Sequence, residues 1–379
     1  MNQTQLARMH FNRAADCFRC ACHAQAIRHY LDGLKLDSTQ VEIYADLSKA
    51  YEMVGLWDNA LECLEVALQL RSDYAVALRR RGRILEEKQV YEALIRERQL
   101  DPALPDDFLV TRSDANDVTA STIKREHFVL TYDNTIPSRT LWYLCQFIEQ
   151  TYHEVGELLQ CYPQRTVSIV LEDIERRDKA ENQINAPATS ASSLPRWAAA
   201  EYDGHIRLTC STYGDPDLGV LLALTRHEWV HLLVDILIHQ QYPVWFNEGL
   251  AQIVARPLMD FERQALQDAN RKRQLLCAHE LGKPFSDMLS DQRRIAYLQS
   301  TAIMEYLIQK FGISRIRDLL HCIDNGASTK VAFHQVFGET EEGIVEEWQE
   351  RINCGKTRYC NHRAGDLGRS EVFSRRLYA

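Results

Sequence analysis

Apolar residues recur at helical spacing through the first hundred positions, and the pattern repeats itself. Ala26, Tyr30, Leu34 and Leu36 are answered 34 positions later by Ala60, Leu64, Leu68 and Leu70, and Ala14 falls opposite Ser48. An interval of 34 residues is the length of two helices joined by a turn. In the second copy Tyr44, Leu47, Tyr51, Ala60, Leu64 and Ala67 put large and small residues on facing stripes, with Gly55 where the helices turn. A third, degenerate copy is expected from about Ala75, keeping Gly82. QLDPALPDD at 99–107 then ends the helical pattern and marks a seam. Beyond it HFVLTYD at 127–133, TVSIVLED at 166–173 and HIRLTC at 205–210 read as strands, the last introduced by the turn signal Tyr202, Asp203, Gly204. An amphipathic helix is expected over 138–160, and the polar stretch 174–195 reads as a loop. From Asp217 the pattern is helical again: a long helix through HEWVH, then helices near 257–277, 296–311 and 314–324.

Strands first and helices after them describe an α+β body with its helices segregated to one side, following an all-α array. The expected boundaries are 1–105 for the array and 106–353 for the second domain, itself split into a strand-containing part at 106–216 and a helical part at 217–353. Residues 354–379 read as a weakly basic, solvated tail. The 34-residue unit resembles a tetratricopeptide repeat; a plain amphipathic bundle is the alternative. Two to three such repeats cannot bury both ends of their stack, so a terminal helix or the following domain must cover one end.

A chain of 379 residues is long enough for two cores, and its ordinary mixture of 45% hydrophobic and 26% charged residues gives no sign of large-scale disorder. The net charge of −9 provides no electrostatic footprint for nucleic acid or for an anionic membrane, so neither is expected as a partner. The N-terminus lacks a basic stretch followed by an apolar run, and no long uninterrupted apolar segment occurs, so a cytoplasmic protein is expected. The 11 cysteines are spread along the chain and read as free thiols; Cys17, Cys20 and Cys22 lie within a helical pattern, and Cys354, Cys360 and His362 lack the two paired Cys-x-x-Cys arms of a structural zinc site.

HEWVH at 227–231 lies in the apolar helical stretch, so His227 and His231, four positions apart, project from one face and can share a metal ion. Fourteen residues after His231 begins WFNEGLA at 245–251, with Glu248 near the start of the next helix as a suitable third ligand. Three protein ligands leave one tetrahedral position on Zn2+ open, as a hydrolytic site requires. The competing readings are a buried polar cluster without metal and an inactive zinc site.

HEWVH, a short connection and WFNEGLA together resemble the gluzincin metallopeptidases. RWAAAEYDGHIRLTC at 196–210 and AYLQSTAIMEYLIQKFG at 296–312 are similar to segments flanking the site in bacterial peptidase MA-like proteins that carry tetratricopeptide repeats. The resemblance implies a zincin-like fold with a small mixed sheet and a helical lobe. It further implies one Zn2+ per chain on His227, His231 and Glu248, with Glu228 as catalytic base and peptide or protein substrates. The oxyanion-stabilising donor implied by the family falls on Tyr297, with Tyr306 as the other candidate. Strand 205–210 would line the cleft as an exposed edge or lie inside the sheet, and His205 would be a substrate contact or a solvent-exposed histidine. The segment that holds a free amino terminus in aminopeptidase N-like enzymes is absent, and Gln252 stands where thermolysin-like enzymes place a carboxylate one turn after the glutamate ligand. The repeats would recruit a protein partner or substrate. The reading from another class is a repeat-bearing adaptor with an inactive peptidase-like domain.

Overall fold

A computed structural model describes residues 2–20, 22–97, 120–173, 199–202, 204–210, 218–239 and 241–353. The seam at 99–107, the polar loop at 174–195 and the tail at 354–379 lie outside the described residues.

The chain opens with α1 (Gln3–Arg19), α2 (His23–Leu36), α3 (Val41–Met53) and α4 (Trp57–Leu70), in which α2 and α4 are offset by 34 residues as the sequence pattern requires. α1 packs on α2 and α3 on α4, and α2 packs on α3 to join the two hairpins. The small residues make this close approach possible: Ala14, Ala26, Ala60 and Ala67 have no exposed surface. Gly55 takes φ +79° at the turn between α3 and α4, a left-handed conformation that suits glycine.

The expected third copy takes a different form. Residues Ala75–Glu97 make one continuous helix, α5, with Gly82 in its interior and not at a turn. α5 packs on α4 on one side and on the motif-bearing helix on the other. It is therefore the element that covers the open end of the hairpin stack. In place of two separate cores, buried apolar side chains run without a break from Ala14 through Tyr91 and Val220 to Trp348.

The body is a five-stranded sheet in the order β1-β2-β3-β5-β4, built from Ala120–Lys124, Phe128–Asp133, Val167–Asp173, Ala199–Tyr202 and Ile206–Cys210 in chain order. Its three central strands β2, β3 and β5 are parallel, and both edge strands are antiparallel to their neighbours. Helix α6 (Ser138–Leu159) connects β2 to β3. Two strands were not expected, β1 and β4. The second settles the position of strand 205–210: Ile206–Cys210 is interior, and the edge belongs to β4, whose Tyr202 pairs with Ile206. His205 lies in the connection between β4 and β5 and is exposed.

The helical part comprises α7 (Leu218–Leu237), α8 (Val244–Ala255), α9 (Asp260–Arg271), the short α10 (Ala278–Leu281), α11 (Ser290–Phe311), α12 (Ile313–Asp324), α13 (Thr329–Phe337) and α14 (Glu341–Asn353). The helix expected over 257–277 ends at Arg271, where Arg273 adopts φ +57°, and the one expected from 296 begins six residues earlier at Ser290. α7 lies between the sheet strands β4 and β5 and helix α8, with α6 beside it, and α11 packs along α8. No described helix is long and apolar enough to cross a membrane.

Candidate metal centre

Fifteen of the twenty residues of α7 are buried, which accounts for a sequence apolar around its whole circumference. The few polar groups in such a helix need partners, because an isolated ionised or hydrogen-bonding group loses its hydration there. Arg226, His227 and Glu228 are each 5% exposed or less. Trp229, on the side of α7 facing α6, meets Tyr152 edge-on at 6.3 Å and anchors the rotation of the helix about its axis.

The histidines face α8. Pro243 caps that helix and presets its first turn, which brings Glu248 opposite the motif one turn further on. Nε2 of His227 and Nε2 of His231 are 3.0 Å apart, and Oε2 of Glu248 lies 3.6 Å from the first and 3.7 Å from the second. Bonds of 2.0–2.1 Å to a tetrahedral zinc ion separate its donors by about 3.3 Å. The triangle therefore has the size and the His, His, carboxylate donor set that a zinc ion needs, and the fit is made by three side chains from two packed helices. Glu228 completes the group: its carboxylate and the two imidazoles offer ligand atoms that all lie within 4.8 Å of one another.

Burial alone would push the Glu248 carboxyl up, but His231 and the hydrogen-bonding His227 together hold it below the usual carboxylate range. It is thus ionised and ready to bind a cation. Nδ1 of His227 and of His231 has no hydrogen-bond partner among the described residues. Among the described residues no carboxylate orients either imidazole in the way one does in many zinc enzymes. Gln252, one turn after Glu248, is buried at 3% exposure.

Of the two tyrosine candidates, Tyr297 is the one beside this group. It stands on α11, edge-on to Phe285 at 5.0 Å. Burial, Glu248 and Glu228 all push its phenol up, so it keeps its proton at neutral pH. Tyr306 sits instead among Lys310, Glu347 and Arg351, with Lys310 5.5 Å and Arg351 5.1 Å from its ring centroid.

Tyr242 is a neighbour of the centre that the sequence did not single out. It lies in the connection between α7 and α8, where burial, Asp235 and Glu248 push its phenol up. With Arg165, Asp235, Ile238 and His239 it lines an open pocket at the end of α7. Tyr202 of edge strand β4 donates to Asp235 at 3.0 Å and ties the sheet edge to this pocket. Nothing in the local pattern around Tyr242 marks it; its place beside Glu248 comes from where the connection folds.

No curated protein and no solved structure matches the chain. A family model does: residues 221–354 match that of the Peptidase MA superfamily. The matched stretch carries HEWVH, Glu248 and Tyr297 together, and residues 221–354 are accordingly a peptidase MA-like domain.

Proposed function

We propose that the protein is a zinc-dependent peptidase of the gluzincin type, with His227, His231 and Glu248 holding one zinc ion and Glu228 serving as general base. The observation that carries this reading is the donor triangle of 3.0, 3.6 and 3.7 Å with a second carboxylate, that of Glu228, beside it. When bound there, zinc supplies Lewis acidity that activates water and polarises the scissile carbonyl. Glu228 takes the proton released as water attacks and returns it to the leaving amide nitrogen, which a carboxylate standing next to the ligands can do in both directions. Tyr297, held protonated, donates a hydrogen bond to the oxyanion that develops on the carbonyl oxygen. β4 is the edge strand of the sheet among the described residues, and an extended peptide would add to it in a sequence-tolerant manner. The helical hairpins at the N-terminus, read as tetratricopeptide repeats, recruit a protein partner or substrate.

The test combines zinc content by elemental mass spectrometry with a peptide-cleavage screen. His231→Ala is expected to lose one zinc equivalent relative to the parent chain, and Glu228→Gln to keep its zinc while losing turnover. A parent chain whose zinc content is the same as that of His231→Ala, after reconstitution, overturns the reading. One observation favours the second reading, an adaptor with an inactive site: the Nδ1 atoms of both histidines go unpartnered among the described residues. Zinc bound without turnover on any peptide would select it.

A further inference from the structure

We propose that His127, Glu149 and His153 form a second divalent-cation site, which takes zinc or another first-row ion that accepts imidazole and carboxylate. Glu149 and His153 are four residues apart on α6 and so share a face one turn apart. His127 immediately precedes β2 and is carried to that face by the sheet: Phe128 pairs with Val167, and the Val167 amide donates to the His127 carbonyl at 2.9 Å. Nδ1 of His127 lies 2.5 Å from Oε2 of Glu149, and each of the three residues offers a ligand atom within 4.8 Å of the other two.

The His127 ring is fixed in advance. It stacks on Tyr152 with centroids 3.7 Å apart and planes at 23°, while His153 meets it edge-on at 5.5 Å. Two imidazoles and one carboxylate repeat the donor set of the centre on α7, and such a set suits Zn2+ and its neighbours in the series. The site is more exposed than the first: the side chains of His127 and Glu149 are 19% and 30% exposed and His153 is exposed, so an ion can enter and water can complete its shell. Binding replaces the direct contact between His127 and Glu149 with the cation. It requires that pair to part from 2.5 Å towards the roughly 3.3 Å of tetrahedral donors, a small rotation for a half-exposed glutamate. A histidine–carboxylate hydrogen bond would account for two of the three residues. It has no use for His153, which is the residue that separates the two accounts.

The experiment uses the full chain, stripped of metal with a chelator, equilibrated with micromolar zinc, desalted and measured by elemental mass spectrometry. Two zinc equivalents are expected in the parent chain, one fewer in His153→Ala and, from the other centre, one fewer in Glu248→Gln. His127→Gln is carried as a second variant, and a thermal melt shows that each variant is folded. An unchanged zinc count in folded His153→Ala and His127→Gln overturns the proposal. A count lowered by His153→Ala and untouched by Glu248→Gln upholds this site and counts against the catalytic reading, so the two stand or fall separately.

Discussion

Glu228 and Glu248 are both carboxylates on buried helices 20 positions apart, and their different neighbours assign them different work. Glu248 is pulled below the ordinary carboxylate range by the two imidazoles it faces, which suits a ligand that must stay ionised. Glu228 stands beside that group with its carboxylate turned to the same space, which suits a group that exchanges a proton. Glu228→Gln preserves shape and removes basicity, so kcat on a cleaved peptide should fall by about 10²–10⁴-fold with zinc content unchanged. Equal turnover in variant and parent would remove Glu228 from the mechanism. Tyr297→Phe keeps the ring against Phe285 and deletes the donor; a fall in kcat of about 10²–10³ with KM little altered is expected. A change confined to KM would place Tyr297 in ground-state binding. That His227, His231 and Glu248 come together with Glu228 beside them was legible in the sequence because it rests on short-range rules: four residues make one helical turn, and Glu248 follows within one connection. Choosing between Tyr297 and Tyr306 was not, since both lie on one helix and only the packing of α11 shows which one turns towards the carboxylates.

Glu248 is held where it is by the contact between α8 and α11. A β-carbon at Gly249 would lie 2.5 Å from the Ser300 carbonyl oxygen and 2.9 Å from its carbonyl carbon, so the two backbones touch at that point. Gly249→Ala must therefore drive α8 away from α11 and carry the neighbouring ligand with it. A destabilisation of about 1–3 kcal/mol is expected, together with weakened zinc retention, checked by denaturant unfolding and metal analysis on the same sample. Full zinc retention at parental stability would show that the helices tolerate a gap. The far end of α8 is pinned by Arg256, which donates to both oxygens of Glu262 at 2.7 and 2.8 Å in a buried pair. The elements that sequence periodicity identified are those long enough to show a period: α6 and β3 fall within one residue of their expected ends. β1 and β4 escaped because ASTIK and AAEY are short and weakly apolar, and they become strands only by pairing with β2 and β5. α5 was misjudged for a related reason. Gly82 imitates a repeat's small position, yet nothing approaches it within 4 Å, and continued packing on α7 keeps the helix going to Glu97.

At the scale of the whole molecule α5 joins the hairpin stack to the helical part that carries HEWVH, and it does so with buried charge as well as apolar contact. Tyr91 meets Trp57 of α4 at 5.3 Å and lies directly over Gly219 of α7, where a β-carbon would be 2.5 Å from its own. Glu86 accepts from the first backbone amides of α9, at Asp260 and Phe261, and so caps that helix from across the joint. Beside it Arg83 donates to Glu52 of α3 at 2.5 Å and to Glu87 at 2.8 Å, so two carboxylates share one guanidinium. Burial, only partly offset by Arg83 and reinforced by Glu52, pushes the Glu87 carboxyl up to about 7. The unfolded chain has an ordinary glutamate of about 4.3 at this position. Between those two values the folded protein binds the extra proton, so this group's contribution to stability is fully present below the lower value and is lost as pH rises through about 7. The loss amounts to about 4 kcal/mol across the window. Glu87→Gln keeps an oxygen to accept from Arg83, leaves Glu52 to balance the guanidinium and carries no charge to bury. It should melt several degrees above the parent at pH 8, with the advantage shrinking to nothing below about pH 4, in thermal melts taken across that range. A difference independent of pH would mean that Glu87 does not titrate in the joint.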